Sequence, residues 1–396
     1  MEQPPFHLTR RNWLRGLGAV GAALYFGRGT LAAQSAPAAA ATAGRPADPE
    51  RAIINLAGNE NPFGPGREVV AKIMREAANS CRYPFREEIR LREEIAAIEG
   101  VKPEAIIVGN GGDEVLSMIG AIYGAPGKNL VASEPGYLQC PEYAERQGAH
   151  IRWIKHTASM QHDLPAMEAA IDADTTLVIV CNPDTPSGTK LEADALSAFI
   201  DRVSQRCAVL VDEAYLELVG DDYRKETQTR WSQAGRPVMV LRSFSKMYAL
   251  AGLRIGYAVS TPEIIERLEK KRMSSLNYLG VAAARVSLRD TRFPAYSRRK
   301  IAEGRERFCA LLDELKLPYT PSCANFVFHR TGIPIRKFQD LMREKGFFVG
   351  RPFPPYDDWV RISIGTELEM KRYAEAMRAV FATPPPAAAP AAPAAS

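Results

Sequence analysis

The sequence predicts an α/β fold, a three-layer sandwich around a mostly parallel sheet, together with a small α+β domain. Short apolar runs that alternate with amphipathic helical patterns predict the sandwich, because parallel strands need helical crossovers on both faces of the sheet. The pattern of predicted elements changes after Pro262, where long charged helices precede a strand–helix–strand pattern. That change predicts the second, smaller domain.

Seven apolar runs predict the strands of the large sheet, at 106–108, 130–132, 151–154, 177–180, 208–211, 238–241 and 255–259. Helical patterns lie between them, for example at 164–171 and 191–203. The small domain is predicted from long charged helices over 293–317, a strand–helix–strand pattern at 325–328, 335–345 and 347–349, and a closing segment at 360–364. We expect residues 99–290 to form the large domain, and residues 45–98 to join residues 291–382 in the small one.

Composition excludes some classes of function. A chain of 396 residues that is 46% hydrophobic can bury a large core. Its 51 basic and 46 acidic residues give a net charge of +5, which is too balanced to predict a nucleic-acid partner. Its six cysteines include no C-x-x-C pair, so the sequence predicts no metal site.

Lys246 lies in the most informative segment, with Ser243 and Ser245 before it and Arg254 after it. Hydroxyl and guanidinium donors match a phosphate, and nearby cations lower the pKa of a lysine that must form a Schiff base with an aldehyde. A surface lysine after a strand is the alternative.

Two strand ends add the groups that a pyridine cofactor needs. Asp212 ends an apolar strand, and a carboxylate beside the pyridine nitrogen keeps that nitrogen protonated. Tyr215 and Asn182 could both hydrogen-bond the ring hydroxyl. The alternatives are a helix N-cap for Asp212 and an ordinary strand-to-helix turn for Asn182.

Taken together, these segments resemble the aspartate aminotransferase superfamily, the fold-type I pyridoxal 5'-phosphate enzymes, and most closely the histidinol-phosphate aminotransferase family. The likeness spans roughly residues 53–382. Matching pieces occur in family order at 59–64, 82–84, 109–114, 134–137, 181–188, 212–215, 243–256, 324–326 and 360–366.

The resemblance implies further cofactor contacts. A helix would begin at Gly111, Gly112 and Asp113, beside the cofactor phosphate. Backbone N–H groups and the helix N-terminus favour an anion there. Tyr137 would stack on the ring, although a core tyrosine is the alternative. Tyr83 would reach the phosphate bound by a partner subunit, which implies a homodimer with shared active sites.

The resemblance also implies substrate contacts. Arg361 would clamp the substrate α-carboxylate through a bidentate fork, Asn61 would lie beside the substrate, and Arg351 is the candidate for a substrate phosphate. The loop that carries Arg351 is shorter than is typical of the family, so histidinol phosphate itself stays an open question.

The implied activity is transfer of an amino group between an amino acid and a 2-oxo acid, with Lys246 moving the proton. Two alternatives remain open. One is decarboxylation of a phosphorylated amino acid on the same scaffold, and the other is a non-catalytic binding protein.

The two ends of the chain have compositions unlike the rest. Arg10 and Arg11 precede a moderately apolar stretch and an alanine-rich run, which predicts a twin-arginine export signal and linker over residues 1–44 and a periplasmic protein. It would meet a membrane only in transit; an uncleaved membrane anchor and a basic extension of a cytoplasmic enzyme are the alternatives. The Pro/Ala tail at 383–396 is predicted to be disordered.

Overall fold

The computed structural model of the protein describes residues 53–382. The predicted export signal and the Pro/Ala tail lie outside these residues. The strands are β1 (Ile54–Asn55), β2 (Ile106–Gly109), β3 (Asn129–Glu134), β4 (His150–Lys155), β5 (Thr175–Cys181), β6 (Ala208–Asp212), β7 (Val238–Ser243), β8 (Gly256–Val259), β9 (Phe326–Arg330), β10 (Phe347–Phe348) and β11 (Trp359–Ser363). The α-helices are α1 (Arg67–Glu76), α2 (Phe85–Glu99), α3 (Gly112–Tyr123), α4 (Gln139–Arg146), α5 (Leu164–Ala169), α6 (Ala193–Val203), α7 (Arg230–Gln233), α8 (Pro262–Glu269), α9 (Tyr278–Ser287), α10 (Arg292–Glu314), α11 (Ile335–Glu344) and α12 (Glu367–Phe381).

The large sheet contains all seven predicted strands, whose bounds differ from the prediction by no more than two residues at either end. Their order is β2-β8-β7-β6-β5-β3-β4. Every neighbouring pair is parallel except the two that involve β8, which is antiparallel to β2 and to β7. The mostly parallel sheet is therefore confirmed.

Helices cover both faces of this sheet. Successive residues of β6 point to opposite sides, as strand geometry requires. Leu210 packs in a buried cluster with α3, α4 and α8, whereas Val209 and Val211 pack in another with α5 and α6. The predicted three-layer sandwich is present, and it fixes the carboxyl ends of β5, β6 and β7 at one edge.

The second core belongs to the small α+β portion. Strand β11 pairs antiparallel with β9, and β1 pairs parallel with β10. Residues of α10, α11 and α12 bury this side, with Phe308, Phe338 and Tyr373 at its centre.

The segment before residue 99 divides between the two cores. We expected residues 45–98 to join the small domain, and β1, Leu56 and Phe63 do pack against residues of that portion. Helices α1 and α2 lie instead against the large sheet, where Leu91 and Ile95 share a buried cluster with Tyr257. An amphipathic period shows that a helix has an apolar face, but it does not show which core covers that face.

All six cysteines are free thiols; Cys181 is buried and Cys207 is half-buried. No helix between residues 53 and 382 is both long and apolar enough to cross a bilayer.

Candidate active site

Lys246 lies in the turn that follows the carboxyl end of β7. Its Nζ donates to the backbone oxygen of Asn59 at 3.2 Å and lies 5.4 Å from the centroid of the Tyr215 ring. Asn59 Nδ2 in turn donates to Tyr215 Oη at 2.9 Å. The turn after β1 therefore brings a backbone acceptor to the lysine and a donor to the tyrosine.

Asp212 is buried at the end of β6. Its Oδ1 accepts one hydrogen bond, from the Ala214 backbone N–H at 3.0 Å, and it forms no ion pair within residues 53–382. Burial raises the pKa of Asp212 to about 6, against the opposing charge of Lys246. The carboxylate lines a cavity together with Tyr137 and Gly136.

The start of α3 has the geometry of an anion site. Gly111 has φ of +82°, and a Cβ there would collide with the guanidinium of Arg254. Arg254 Nη2 donates to Asp113 Oδ2 at 2.6 Å, and Tyr137 Oη donates to Asp113 Oδ1 at 2.7 Å. Asp113 thus orients both side chains beside the exposed N–H groups of the first helical turn.

The two predicted serines lie near this end of β7. Ser243 is its last residue, and the Ser243 hydroxyl accepts from the Ser245 backbone N–H at 3.1 Å. Both serines are buried. Their contact shapes the turn that presents Lys246.

Arg361 projects from β11 between the rings of Phe326 and Phe353, at 5.3 and 5.1 Å from their centroids. Its Nη1 donates to Thr185 Oγ1 at 2.7 Å and its Nη2 to the Ala57 oxygen at 3.2 Å. The buried Nε has no hydrogen-bond partner in the part of the chain that the structure describes. Burial lowers the pKa of Arg361, and a buried donor without an acceptor suits an anionic ligand.

Arg351 contacts the same aromatic ring, Phe353. Its guanidinium carbon is 4.2 Å from the Phe353 centroid, and its Nη2 lies 3.4 Å from the Gly136 oxygen. The positive charge of Arg351 contributes to the lowered pKa of Arg361. Two guanidinium groups therefore share one aromatic ring at this end of the site.

Three further predicted site residues make contacts within the described residues that do not involve a ligand. The Asn182 side-chain oxygen accepts from the Leu191 backbone N–H at 2.9 Å, and this contact does not use the amide N–H groups that we expect to donate to the cofactor. Asn61 Nδ2 donates to the backbone oxygens of Lys246 and Met247, at 2.9 and 3.1 Å, and so supports the lysine turn. Tyr83 is 71% exposed and packs beside Phe85.

Sequence reasoning missed two residues that the site uses, Asn59 and Thr185. Asn59 belongs to the motif at 59–64, but neither its backbone contact with Lys246 nor its left-handed φ of +50° could be inferred from that motif. Thr185 lies in the loop after β5, where we had singled out Asn182. Its contact with Arg361 spans 176 residues, so no local signal predicts it.

Comparison with known proteins gives the same assignment. The profile of the family "Aminotransferase class I and II" matches residues 51–377. Histidinol-phosphate aminotransferase from Moorella thermoacetica is 37% identical over 335 residues, which are 83% of this chain and 86% of that protein. Histidinol-phosphate aminotransferase 2 from Pseudomonas fluorescens is 36% identical, over 83% of this chain and 89% of that protein.

A solved structure also matches. The histidinol-phosphate aminotransferase from Sinorhizobium meliloti, in complex with pyridoxal-5'-phosphate, superposes with a TM-score of 0.78 at 29% identity. The match covers 83% of this chain and 91% of that one. The chain belongs to the class I and II aminotransferases, and it is a transaminase similar to the histidinol-phosphate aminotransferases.

Proposed function

We propose that this protein binds pyridoxal 5'-phosphate and transfers an amino group between an amino acid, or an amino-alcohol phosphate, and a 2-oxo acid. The observation that carries the proposal is Asp212, a buried carboxylate at a strand end that has no cationic contact within the described residues. A protonated pyridine nitrogen is the ligand that would neutralise it.

The residues present fit this cofactor. Lys246 supplies the amine for its aldehyde, Tyr215 a hydroxyl for the ring oxygen, and the start of α3 with Arg254 an anion site for its phosphate. When bound, the cofactor supplies an electron sink for the substrate carbanion. Tyr137, hydrogen-bonded through Asp113 to the same anion site, is placed to cover the ring.

Each residue then has a distinct task. Lys246 carries the proton to and from the substrate carbon, because its amine lies beside the Tyr215 ring within this site. Arg361 receives the anionic group of the substrate, since its Nε is free to donate and its position is fixed by Thr185 and two aromatic rings. Asp212 keeps the ring nitrogen protonated through both half-reactions.

The arginine pair at Phe353 bears on the choice of substrate. Arg351 and Arg361 together can accommodate the carboxylate of an amino acid or the phosphate of an amino-alcohol phosphate. This favours substrates of the kind that the histidinol-phosphate aminotransferases are named for.

A screen of donors and acceptors tests the proposal. Purified protein is loaded with cofactor, and amino acids and histidinol phosphate are added singly while the visible absorbance is followed. Bleaching by a donor, with recovery on adding a 2-oxo acid, is the expected result. Release of carbon dioxide from a phosphorylated amino acid without recovery by a 2-oxo acid would support the decarboxylase instead.

We also propose a homodimer in which Tyr83 serves the partner's site. Tyr83, just before α2, and Phe85, its first residue, are 71% and 64% exposed, and Met74 on α1 and Ile89 on α2 are exposed as well. Burial of this apolar face against a second copy of the chain would explain why these side chains are exposed in the single chain. Mixing Lys246→Ala with Tyr83→Ala subunits should restore activity, because one site in each hybrid is intact. Activity that stays at the level of the separate variants would contradict shared sites.

The third proposal is export of the folded, cofactor-loaded protein by the twin-arginine route. It rests on the sequence alone, on Arg10 and Arg11 before an alanine-rich run. Cells expressing wild type and a double-lysine variant are fractionated. A shortened periplasmic product that disappears in the variant is expected, and a full-length cytoplasmic wild type in the native host would contradict export.

A further inference from the structure

A buried cluster of two histidines and one aspartate lies beside the proposed cofactor site. His156 follows β4, His162 precedes α5, and Asp184 lies in the loop after β5. One ligand atom from each residue lies within 4.8 Å of the other two. Their side chains are 1%, 4% and 2% exposed, so the cluster is shielded from bulk water.

His156 is the unexplained member of this cluster. Neither of its ring nitrogens has a hydrogen-bond partner anywhere in residues 53–382. Its Nε2 lies 3.8 Å from Asp184 Oδ2, which is too far for a direct hydrogen bond. A buried polar group without a hydrogen-bond partner destabilises the folded state, so a ligand bound to His156 would remove that penalty.

Each of the other two members is held by a further hydrogen bond. His162 Nδ1 lies 2.5 Å from Ser133 Oγ. Asp184 Oδ2, the oxygen nearer His156, accepts from the Ser187 hydroxyl at 2.6 Å. The other Asp184 oxygen, Oδ1, lies 3.3 Å from His162 Nε2. Two ligands of a tetrahedral zinc ion, each about 2.0–2.1 Å from the metal, have about the same separation.

We propose that His156, His162 and Asp184 bind a divalent transition-metal ion, with Zn²⁺ as the ion that this ligand set favours. Two imidazoles and a carboxylate suit zinc and its first-row neighbours, whereas Mg²⁺ and Ca²⁺ prefer oxygen ligands alone. The ligands come from three separate segments, and our expectation of no metal site considered only cysteine spacing.

The surroundings of His162 suit either tautomer of its ring. With the proton on Nε2, that nitrogen donates to the Cys181 oxygen at 2.9 Å. With the proton on Nδ1, that nitrogen donates to Ser133 Oγ, and Nε2 keeps a lone pair that the Cys181 N–H faces at 3.2 Å. Binding of an ion requires the second tautomer and would exchange the Nε2 contacts for a metal bond.

The site would support the loop rather than take part in the chemistry. Asp184 directly precedes Thr185, whose hydroxyl accepts from Arg361. An ion held by His156, His162 and Asp184 would tie this loop to the end of β4 and so fix the position of Thr185. His162 and Asp184 also line the cavity that Asp212 lines, so the cluster adjoins the proposed cofactor site.

Metal binding to the full-length holoenzyme tests the proposal. The protein is purified without a polyhistidine tag, stripped with a chelator, and titrated with Zn²⁺ by calorimetry and with Co²⁺ by visible spectroscopy. We expect one ion per chain, and affinity that falls by about 10- to 100-fold or more in His156→Gln and in Asp184→Asn. His150→Gln is the matched control, because His150 is exposed at the other end of β4.

Equal Zn²⁺ affinity in the control and in both ligand variants would overturn the proposal. If the ligand variants fail to fold, the wild-type Co²⁺ spectrum decides, since ligand-field bands of a tetrahedral site support the proposal and their absence overturns it. Transaminase activity measured on the same samples shows separately whether the proposed function stands.

Discussion

Two neighbouring carboxylates at the end of β6 have opposite surroundings. Asp212 accepts a single backbone hydrogen bond and forms no ion pair within the described residues. Glu213 is more deeply buried, and Arg242 Nε lies 3.0 Å from its Oε2. Gln228 N–H and the Thr227 hydroxyl each donate to Glu213 at 2.8 Å.

The difference shows which of the two buried carboxylates is paired within the folded chain and which is left for a ligand. Glu213, together with Glu217, belongs to a paired cluster around Arg242, which is 1% exposed. Burial raises the pKa of Glu213 as well, but Arg242 and the two hydrogen bonds oppose the rise. Asp212 has only the Ala214 N–H and the more distant charge of Lys246 to offset its burial, so its ionised form is costly until a cationic ligand binds.

The largest expected effect is at Lys246, which lies with Asp212 in the proposed cofactor site. Lys246→Ala should lower turnover by about 10,000-fold or more, because the variant loses both the attachment point of the cofactor and the proton carrier. Stability should change little, since Nζ makes one hydrogen bond in this structure. Turnover and Tm are measured beside Lys190→Ala, a lysine paired with Glu226 away from the site. Multiple turnover without an added amine would contradict the assignment.

Asp212→Asn should lower kcat by about 100- to 1,000-fold or more, because a neutral amide does not keep the ring nitrogen protonated. The folded structure should survive, since the amide oxygen can still accept from Ala214. Steady-state kinetics at saturating cofactor check this, with Asp174→Asn as an exposed control. Wild-type rates in Asp212→Asn would mean that another group faces the ring.

In the ion-paired cluster, Glu213→Gln should lower the free energy of unfolding by about 3–5 kcal/mol, because it leaves Arg242 buried without its nearest countercharge. The kcat of each cofactor-loaded site should stay close to wild type. Urea unfolding and active-site titration separate the two quantities. Unchanged stability would show that the cluster does not need this charge.

Arg361→Lys should have the smallest effect, a rise in KM for the amino donor of about tenfold, or about 1.4 kcal/mol. An ammonium group cannot donate to Thr185 and grip an anion with the same planar fork. Arg330→Lys, an exposed arginine on the adjacent strand β9, is the control. Unchanged saturation by donor and by keto acid would place the clamp elsewhere.

These residues also show what the sequence could predict. The large sheet was predictable because its strands are apolar runs flanked by polar turns, and Asp212 and Lys246 stand out where those runs end. The packing of α1 and α2 was not predictable, because an apolar helix face in the sequence does not show which of the two cores it packs against. Neither was the Thr185–Arg361 contact, which depends on how a loop and β11 meet in space.

The cluster of His156, His162 and Asp184 was missed for a related reason. Each residue is unremarkable in its own segment, and only the parallel order of β3, β4 and β5 brings the loops together. Asn59 is similar, since its motif was noticed while its contact with Lys246 needed the fold. Local patterns thus identify elements and isolated reactive groups, whereas long-range contacts require the structure.

The unfolding free energy of the cofactor-free protein at pH 5 and pH 8 tests the central comparison most directly. The pKa of Asp212 rises from 3.8 to about 6 on folding, so its favourable contribution is present below pH 3.8 and lost as the pH rises through 6. Asp212→Asn should therefore stabilise the protein at pH 8, by up to about 3 kcal/mol, and by about half as much at pH 5. Glu213→Gln should destabilise it at pH 8. Equal destabilisation by both substitutions at pH 8 would contradict the account that Asp212 is kept unpaired for a ligand.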